Sequence, residues 1–290
     1  MSELLQFLFS GLTVGAMYTM AALGYAIIYN ASHVVNFAQG EFIMLGAMTT
    51  ASLVDAHVPL PVAVALAVLV SLATGALMER IAIRPARGAP LVSVLIITLG
   101  VALIIRGAVQ VVLGKGNHSL PSFSGDEPLA LWGATLARQS VWVFAVTALV
   151  VVVLAWTFTR TLPGKSMLAT SHNPLAAQLV GIDTQRVMFA SYALSGGLGA
   201  IGGIIVAPIT FTSYDAGVVL GLKGFAAAAL GGLGSGPGAI VGGLGLGVIE
   251  ALSAGYVSSA YKDAVAFVLL LLVLMFMPRG LFGAKVTDRV

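Results

Sequence analysis

The chain has 290 residues, 59% of them hydrophobic and 9% charged, with a net charge of +3 and a mean hydropathy of +1.02. A soluble globular domain carries about 25% charged residues, so this composition excludes one and points to a polytopic membrane protein, read as a single membrane domain over residues 1–290. With no cysteine and four dispersed histidines, disulfide frameworks and cysteine metal sites are excluded, and no histidine pair has ligand spacing.

A spanning helix needs about 20 apolar residues. Leu4 to Tyr29 meets that length. It lacks a basic leader and a small-residue cleavage site, so it reads as a retained helix rather than a signal peptide. Gly11 and Gly15 give it a small face for close packing. Tyr18, Tyr25 and Tyr29 share one side, either as packing or as a hydroxyl-bearing wall. After a polar break at Asn30 to Val35, the run Asn36 to Val54 opens on Asn36, Gln39 and Glu41. Leu60 to Met78 follows and is closed by Glu79-Arg80. Arg80, Arg84 and Arg87 form a basic loop. Leu91 to Leu113 spans again and carries Arg106.

Residues 114–139 form a long polar loop with Asp126 and Glu127. Ser140 to Thr159 is a valine-rich span ended by Arg160. Residues 163–186 form a second loop, and Val187 to Ala207 is a glycine-rich span. Val218 to Leu233 is interrupted by Lys223, and Gly234 to Gly238 is a breaker. Ala239 to Ala254 spans with Gly243 and Gly247 as a packing pair. Ala264 to Met277 is the last run. The expectation is an all-α membrane protein with eight to ten transmembrane helices. Nine segments are the central count, with Asn36 to Val54 and Val218 to Leu233 irregular. One irregular helix in each half is a pointer to a substrate site near the midplane.

The positive-inside rule orients the bundle. Arg80/Arg84/Arg87, Arg160/Lys165 and Arg279/Lys285/Arg289 belong in the cytoplasm. Counting back places the N-terminus and the 114–139 loop in the periplasm, and the 163–186 loop and the C-terminus in the cytoplasm.

Gly231 to Gly238 lacks the Gly-Lys-Ser/Thr of a phosphate loop, so no nucleotide site is expected in this chain. Ser191 and Ser195 have no base at usable spacing, so no catalytic set is expected either. Ionisable groups inside a membrane are costly and default to a functional reading. Glu41 and Glu250 therefore read as pathway residues or as structural hydrogen-bonding groups between helices. Arg106 snorkels to the interface, attracts an anionic group, or pairs with a carboxylate such as Glu41. In the second loop Met167, Leu168, Leu175 and Leu179 alternate with Lys165 and other polar residues. Gly164 opens it and Gly181 has the place of a helix C-cap. Such an amphipathic segment docks into a groove of another protein or lies on lipid.

Several stretches in this order resemble the permease subunits of the branched-chain amino-acid ABC importer family, the shorter subunit of the usual pair. They are Gly11-Leu12-Thr13-Val14-Gly15 with Tyr18, Ala22-Leu23-Gly24-Tyr25, Asn36 to Glu41 with Gly46, and Glu79-Arg80 with Arg84-Pro85. Gly164-Lys165-Ser166 through Gly181-Ile182, Ala227 to Pro237, Tyr261-Lys262-Asp263 and Met277 to Gly283 complete the set. The resemblance runs from Gly11 to Gly283.

It implies an importer subunit in a bacterial inner membrane, carrying branched-chain or related amino acids or similar small solutes. The chain itself would be no enzyme and hold no cofactor. ATP and Mg would bind two partner ATPase subunits, beside a longer permease and a periplasmic solute-binding protein. The 163–186 loop looks like the family's coupling element, with Gly164, Lys165, Met167, Leu168, Leu175, Leu179 and Gly181 as its contact residues. The pathway residues expected are Tyr25, Asn36, Gln39, Glu41, Arg106 and Glu250. Gln39 stands where the family often has histidine. Leu168 and Asn173 replace a commonly basic and a commonly acidic position, so docking would rest on apolar contacts. The alternative is a self-sufficient secondary transporter or channel that uses Glu41 or Glu250 as a proton or ion site.

Overall fold

A computed structural model describes residues 2–125, 127–131 and 133–283. Asp126 of the first polar loop, and Lys285 and Arg289 of the basic C-terminal segment, lie outside the described residues. The apolar runs become α1 (Ser2–Ser32), α2 (Gln39–Asp55), α3 (Leu60–Met78), α4 (Leu91–Val112) and α5 (Arg138–Arg160). After two short helices, α6 (Leu162–His172) and α7 (Pro174–Leu179), come α8 (Thr184–Val206), α9 (Ala216–Gly231), α10 (Gly236–Tyr256) and α11 (Lys262–Phe276). The described residues contain 7 helices long and apolar enough to cross a membrane, α11 among them together with the 3-10 turn Ser259–Tyr261 that leads into it. Helices α2 and α9, the two segments read as irregular, have 17 and 16 residues. At about 1.5 Å per residue neither reaches the roughly 30 Å of a hydrocarbon core.

Burial separates a centre from a periphery. In the most apolar stretch of α1, 89% of residues are buried, against 17% in α5 and 6% in α11. Helices α1, α2, α8, α9 and α10 therefore form the core, with α3, α4, α5 and α11 around it. Close approach depends on small residues. The Gly11/Gly15 face of α1 lies directly on Gly243 and Gly247 of α10, backbone against backbone. In α8, Gly196 receives α3, where the Ser71 hydroxyl donates to the Gly196 carbonyl at 2.9 Å. Gly199 and Gly203 seat Phe42 and Ile43 of α2.

Side-chain caps start α8 and α10. Asp183 accepts from the amides of Gln185 and Arg186 at 3.0 and 3.1 Å, and Ser235 accepts from Gly238 at 3.1 Å. Between α9 and α10, Gly232 and Gly234 adopt φ of 106° and 84°, which L side chains avoid.

Three details depart from the sequence reading. Glu79-Arg80 does not close α3: a π turn, Glu79–Ile83, extends it. Glu79 is buried and bonded at 2.6 Å to Arg87 of the loop that follows, so its charge is paired instead of marking the end of the helix. The first polar loop holds a hairpin, β1 (Leu129–Leu131) with antiparallel β2 (Ala134–Leu136). His118 in the same loop exchanges two backbone bonds of 2.9 Å with Thr212 before α9. The second loop is two helices rather than one. Asn173 breaks it and caps α7 by accepting from Ala176 at 3.0 Å.

Candidate functional site

The first turn of α2 is assembled from short polar contacts. Asn36 accepts from the Ala38 amide at 3.1 Å, a turn that starts the helix. Phe37 donates its amide to the Thr98 hydroxyl of α4 at 3.3 Å. Gln39 is fully buried beneath Gly24 of α1, where a Cβ would overlap its amide. Its side chain faces α8, with Oε1 2.5 Å from the Ser195 hydroxyl and Nε2 donating to the Ser195 carbonyl at 3.3 Å. Gly40 admits the backbone of α9 at Gly217 and Gly221.

Glu41 projects to the other side and forms an ion pair with the Arg106 guanidinium from α4. The Glu41 side chain is 2% exposed and that of Arg106 25%. Only one pair of atoms makes this contact. Among the described residues, Glu41 Oε2 and Arg106 Nε have no hydrogen-bond partner.

Glu41 and Arg106 line a cavity of about 350 Å³ between α1, α2, α4 and α9. Tyr25 forms part of its wall and donates to the Gly221 carbonyl at 3.0 Å. The ring of Phe37 closes another side, packed 5.9 Å from that of Phe225. Gly217 and Val218, in the first turn of α9, also face the cavity and bring the positive end of a helix dipole to it. The mouth is rimmed by exposed Leu99 and Leu103 of α4 and Leu222 of α9.

Of the expected pathway residues, Tyr25, Glu41 and Arg106 meet here. Asn36 and Gln39 are spent on the turn and on α8, and neither lines the cavity. Arg106 does not snorkel to the interface, because a buried carboxylate lies within its reach. Glu250 belongs to a second cluster. It bonds Lys223 of α9 at 2.7 Å and accepts from the Tyr18 hydroxyl at 2.8 Å. Lys223 also reaches Asp263 of α11 at 2.6 Å and stands 5.6 Å from the centre of the Tyr18 ring. Both carboxylates that a proton-driven alternative depends on are thus paired with cations.

Sequence reasoning missed Lys223 and Asp263 as a unit. The available signal was a cation inside one apolar run and a carboxylate at the start of a later one. Phe37 carried no signal beyond its place just before α2, nor Gly217 and Gly221 beyond theirs in the short α9.

At the 163–186 loop, Gly164 is buried against the backbone of Thr157 and Phe158, where a side chain would collide, and Thr161 accepts its amide at 3.2 Å. Lys165 is exposed. Met167 and Leu168 turn toward Ile27 and Phe158 of the bundle. Leu175 and Leu179 point away, 74% and 89% exposed. Gly181 has φ 88° and ends α7, with its amide bonded to Gln178 and that of Ile182 to Ala177, both at 3.0 Å.

Long helices around a charged interior cavity, with two helices too short to span, define a polytopic membrane transport protein. A family model described as branched-chain amino acid transport system / permease component matches residues 7–274, and the chain belongs to that family. It is 32% identical to the high-affinity branched-chain amino acid transport system permease protein LivH of Escherichia coli strain K12, over 99% of this chain and 97% of the relative. Against the corresponding permease BraD of Pseudomonas aeruginosa it is also 32% identical, over 99% and 98%. The autoinducer 2 import system permease protein LsrC of Enterobacter sp. strain 638 aligns over 48% of this chain at 32% identity, covering 40% of the relative. No solved structure matches the chain.

Proposed function

We propose that this chain is the translocating subunit of an ATP-driven importer of branched-chain or related amino acids in a bacterial inner membrane, and that the Glu41–Arg106 cavity lies on the path. The observation that carries the proposal is a buried ion pair inside an otherwise apolar cavity, whose wall includes the two helices that stop short of spanning. The relatives named above supply the substrate class. The cavity opens sideways between α4 and α9 through exposed leucines, so a lone chain would present it to lipid. A second permease subunit covers that mouth and completes the path. A periplasmic binding protein delivers solute to the side where the 114–139 loop lies. ATP and Mg bind two partner ATPase subunits, which rest on the loop of α6 and α7. ATP hydrolysis shifts that loop and biases the bundle between outward- and inward-facing states through different contacts in each.

Replacing Val218 with Trp fills the cavity from a partly exposed position. Leucine uptake by the complete transporter in proteoliposomes is expected to fall at least about tenfold, the effect of losing roughly 1.4 kcal/mol in a transport step. Normal uptake with normal assembly would refute the path.

Leu175 and Leu179 are one helical turn apart on the same exposed face. The substitution Leu175→Asp places a charge on that face without touching the bundle. The ATPase subunits are expected to be lost on purification while the permease stays folded in size-exclusion chromatography. Retained ATPase and unchanged transport would remove α7 from the docking surface.

A further inference from the structure

Resting on the importer reading above, we infer that Glu41 and Arg106 recognise the head group of a zwitterionic amino acid. The ion pair opens, Glu41 takes the ligand ammonium, and Arg106 takes the ligand carboxylate.

The pair is under-bonded in three ways. An ionised carboxylate accepts several hydrogen bonds and a guanidinium donates five, yet here one atom of each meets one of the other. Glu41 Oε2 and Arg106 Nε are buried without partners among the described residues. Arg106 therefore does not grip Glu41 in the two-pronged geometry that an arginine and a carboxylate adopt when the pair is purely structural and optimal. A molecule bearing one positive and one negative group satisfies both, and no net charge enters the membrane interior.

The two partners also differ in freedom. Glu41 stands in the first turn of the core helix α2 and is held at 2% exposure. Arg106 reaches in from the peripheral α4 on a long side chain with 25% exposure. Oε2 is shielded from water in this state, so the ligand enters as Arg106 swings away. Gly217 keeps the space over Oε2 free, since a Cβ there would press on that oxygen. The positive end of α9 beside it holds the Glu41 carboxylate in its ionised form. The remaining wall, Phe37, Leu99 and Leu222 among it, is apolar and receives an aliphatic side chain.

The test is equilibrium binding to the assembled permease–ATPase complex without its binding protein, so that selection by that protein does not enter. The probes are L-leucine, 4-methylpentanoate, which lacks the ammonium, and isoamylamine, which lacks the carboxylate. Leucine is expected to bind about tenfold or more tightly than either, the value of one charge-assisted hydrogen bond. Glu41→Gln removes the preference over 4-methylpentanoate, and Arg106→Gln the preference over isoamylamine. Where a single change leaves an unpaired charge that prevents assembly, Glu41→Gln/Arg106→Gln is measured and loses both preferences.

Equal binding of the three probes by the unaltered complex overturns the inference, as does a preference that survives these changes. If Val218→Trp blocks uptake while the preferences survive in the variants, the path stands and head-group recognition falls. If Val218→Trp transports normally, the path itself falls.

Discussion

Gly247→Val is expected to eliminate the folded protein, while Gly245→Val, two residues away on the same helix, leaves it intact. A Cβ at Gly247 meets the backbone of Gly15 and the Gly11 carbonyl, and no flexible side chain is available to give way. Helices α1 and α10 would have to separate, and α1 is the most buried helix of the bundle. Overpacking costs about 1–3 kcal/mol where side chains can adjust and more where they cannot. Total stabilities are about 5–15 kcal/mol, so the change removes a large share. At Gly245 nothing lies within 4 Å of an added Cβ. Both variants carry the same cost of valine in a helix, which isolates the helix contact. Fluorescence-detected size-exclusion of a tagged chain reads the outcome. Equal monodisperse peaks would show that the α1–α10 crossing tolerates displacement.

The second large effect belongs to Lys223. Its side chain is 6% exposed between Glu250 at 7% and Asp263 at 52%. Lys223→Ala leaves the Glu250 carboxylate buried with the Tyr18 hydroxyl as its remaining donor. Breaking one partner of a buried pair costs about 3–5 kcal/mol, whereas replacing both with apolar residues of similar size is often neutral. Lys223→Ala is therefore expected to lower the melting temperature of the purified complex markedly, and Lys223→Met/Glu250→Met to restore most of it. If the double variant melts as low as the single, the cluster is not held by its charges.

The spans were legible because apolar length is the dominant constraint on a membrane helix. Leu60 to Met78 was located to the residue, helped by prolines at its start. The irregularity of Asn36 to Val54 and Val218 to Leu233 also showed, through polar residues at one and Lys223 within the other. The site was only half legible. Asn36, Gln39 and Glu41 look like one polar edge in the sequence, yet residues two apart on a helix point about 200° away from each other. Gln39 accordingly meets α8 and Glu41 meets α4. The sequence showed that Arg106 had several outlets, but the choice among them depends on which helix lies opposite. Glu250 carried a true signal of a costly buried charge, whose partner lies 27 residues earlier on α9. In the second loop, Asn173 divides a continuous amphipathic pattern, so Met167 and Leu168 line a cleft against the bundle while Leu175 and Leu179 face outward.

The order of the chain gives the Lys223 cluster a further meaning during synthesis. Lys223 leaves the ribosome before Glu250 and Asp263, the two carboxylates that neutralise it. An unpaired lysine at the centre of a helix costs about 2.5–3.5 kcal/mol to insert. Helix α9 is also too short to offset that by length. Helix α9 is therefore expected to be stable in the bilayer only once α10 and α11 lie beside it. Its charge partners are supplied by α10 and α11, and the Tyr18 face of α1, made long before, completes the cluster.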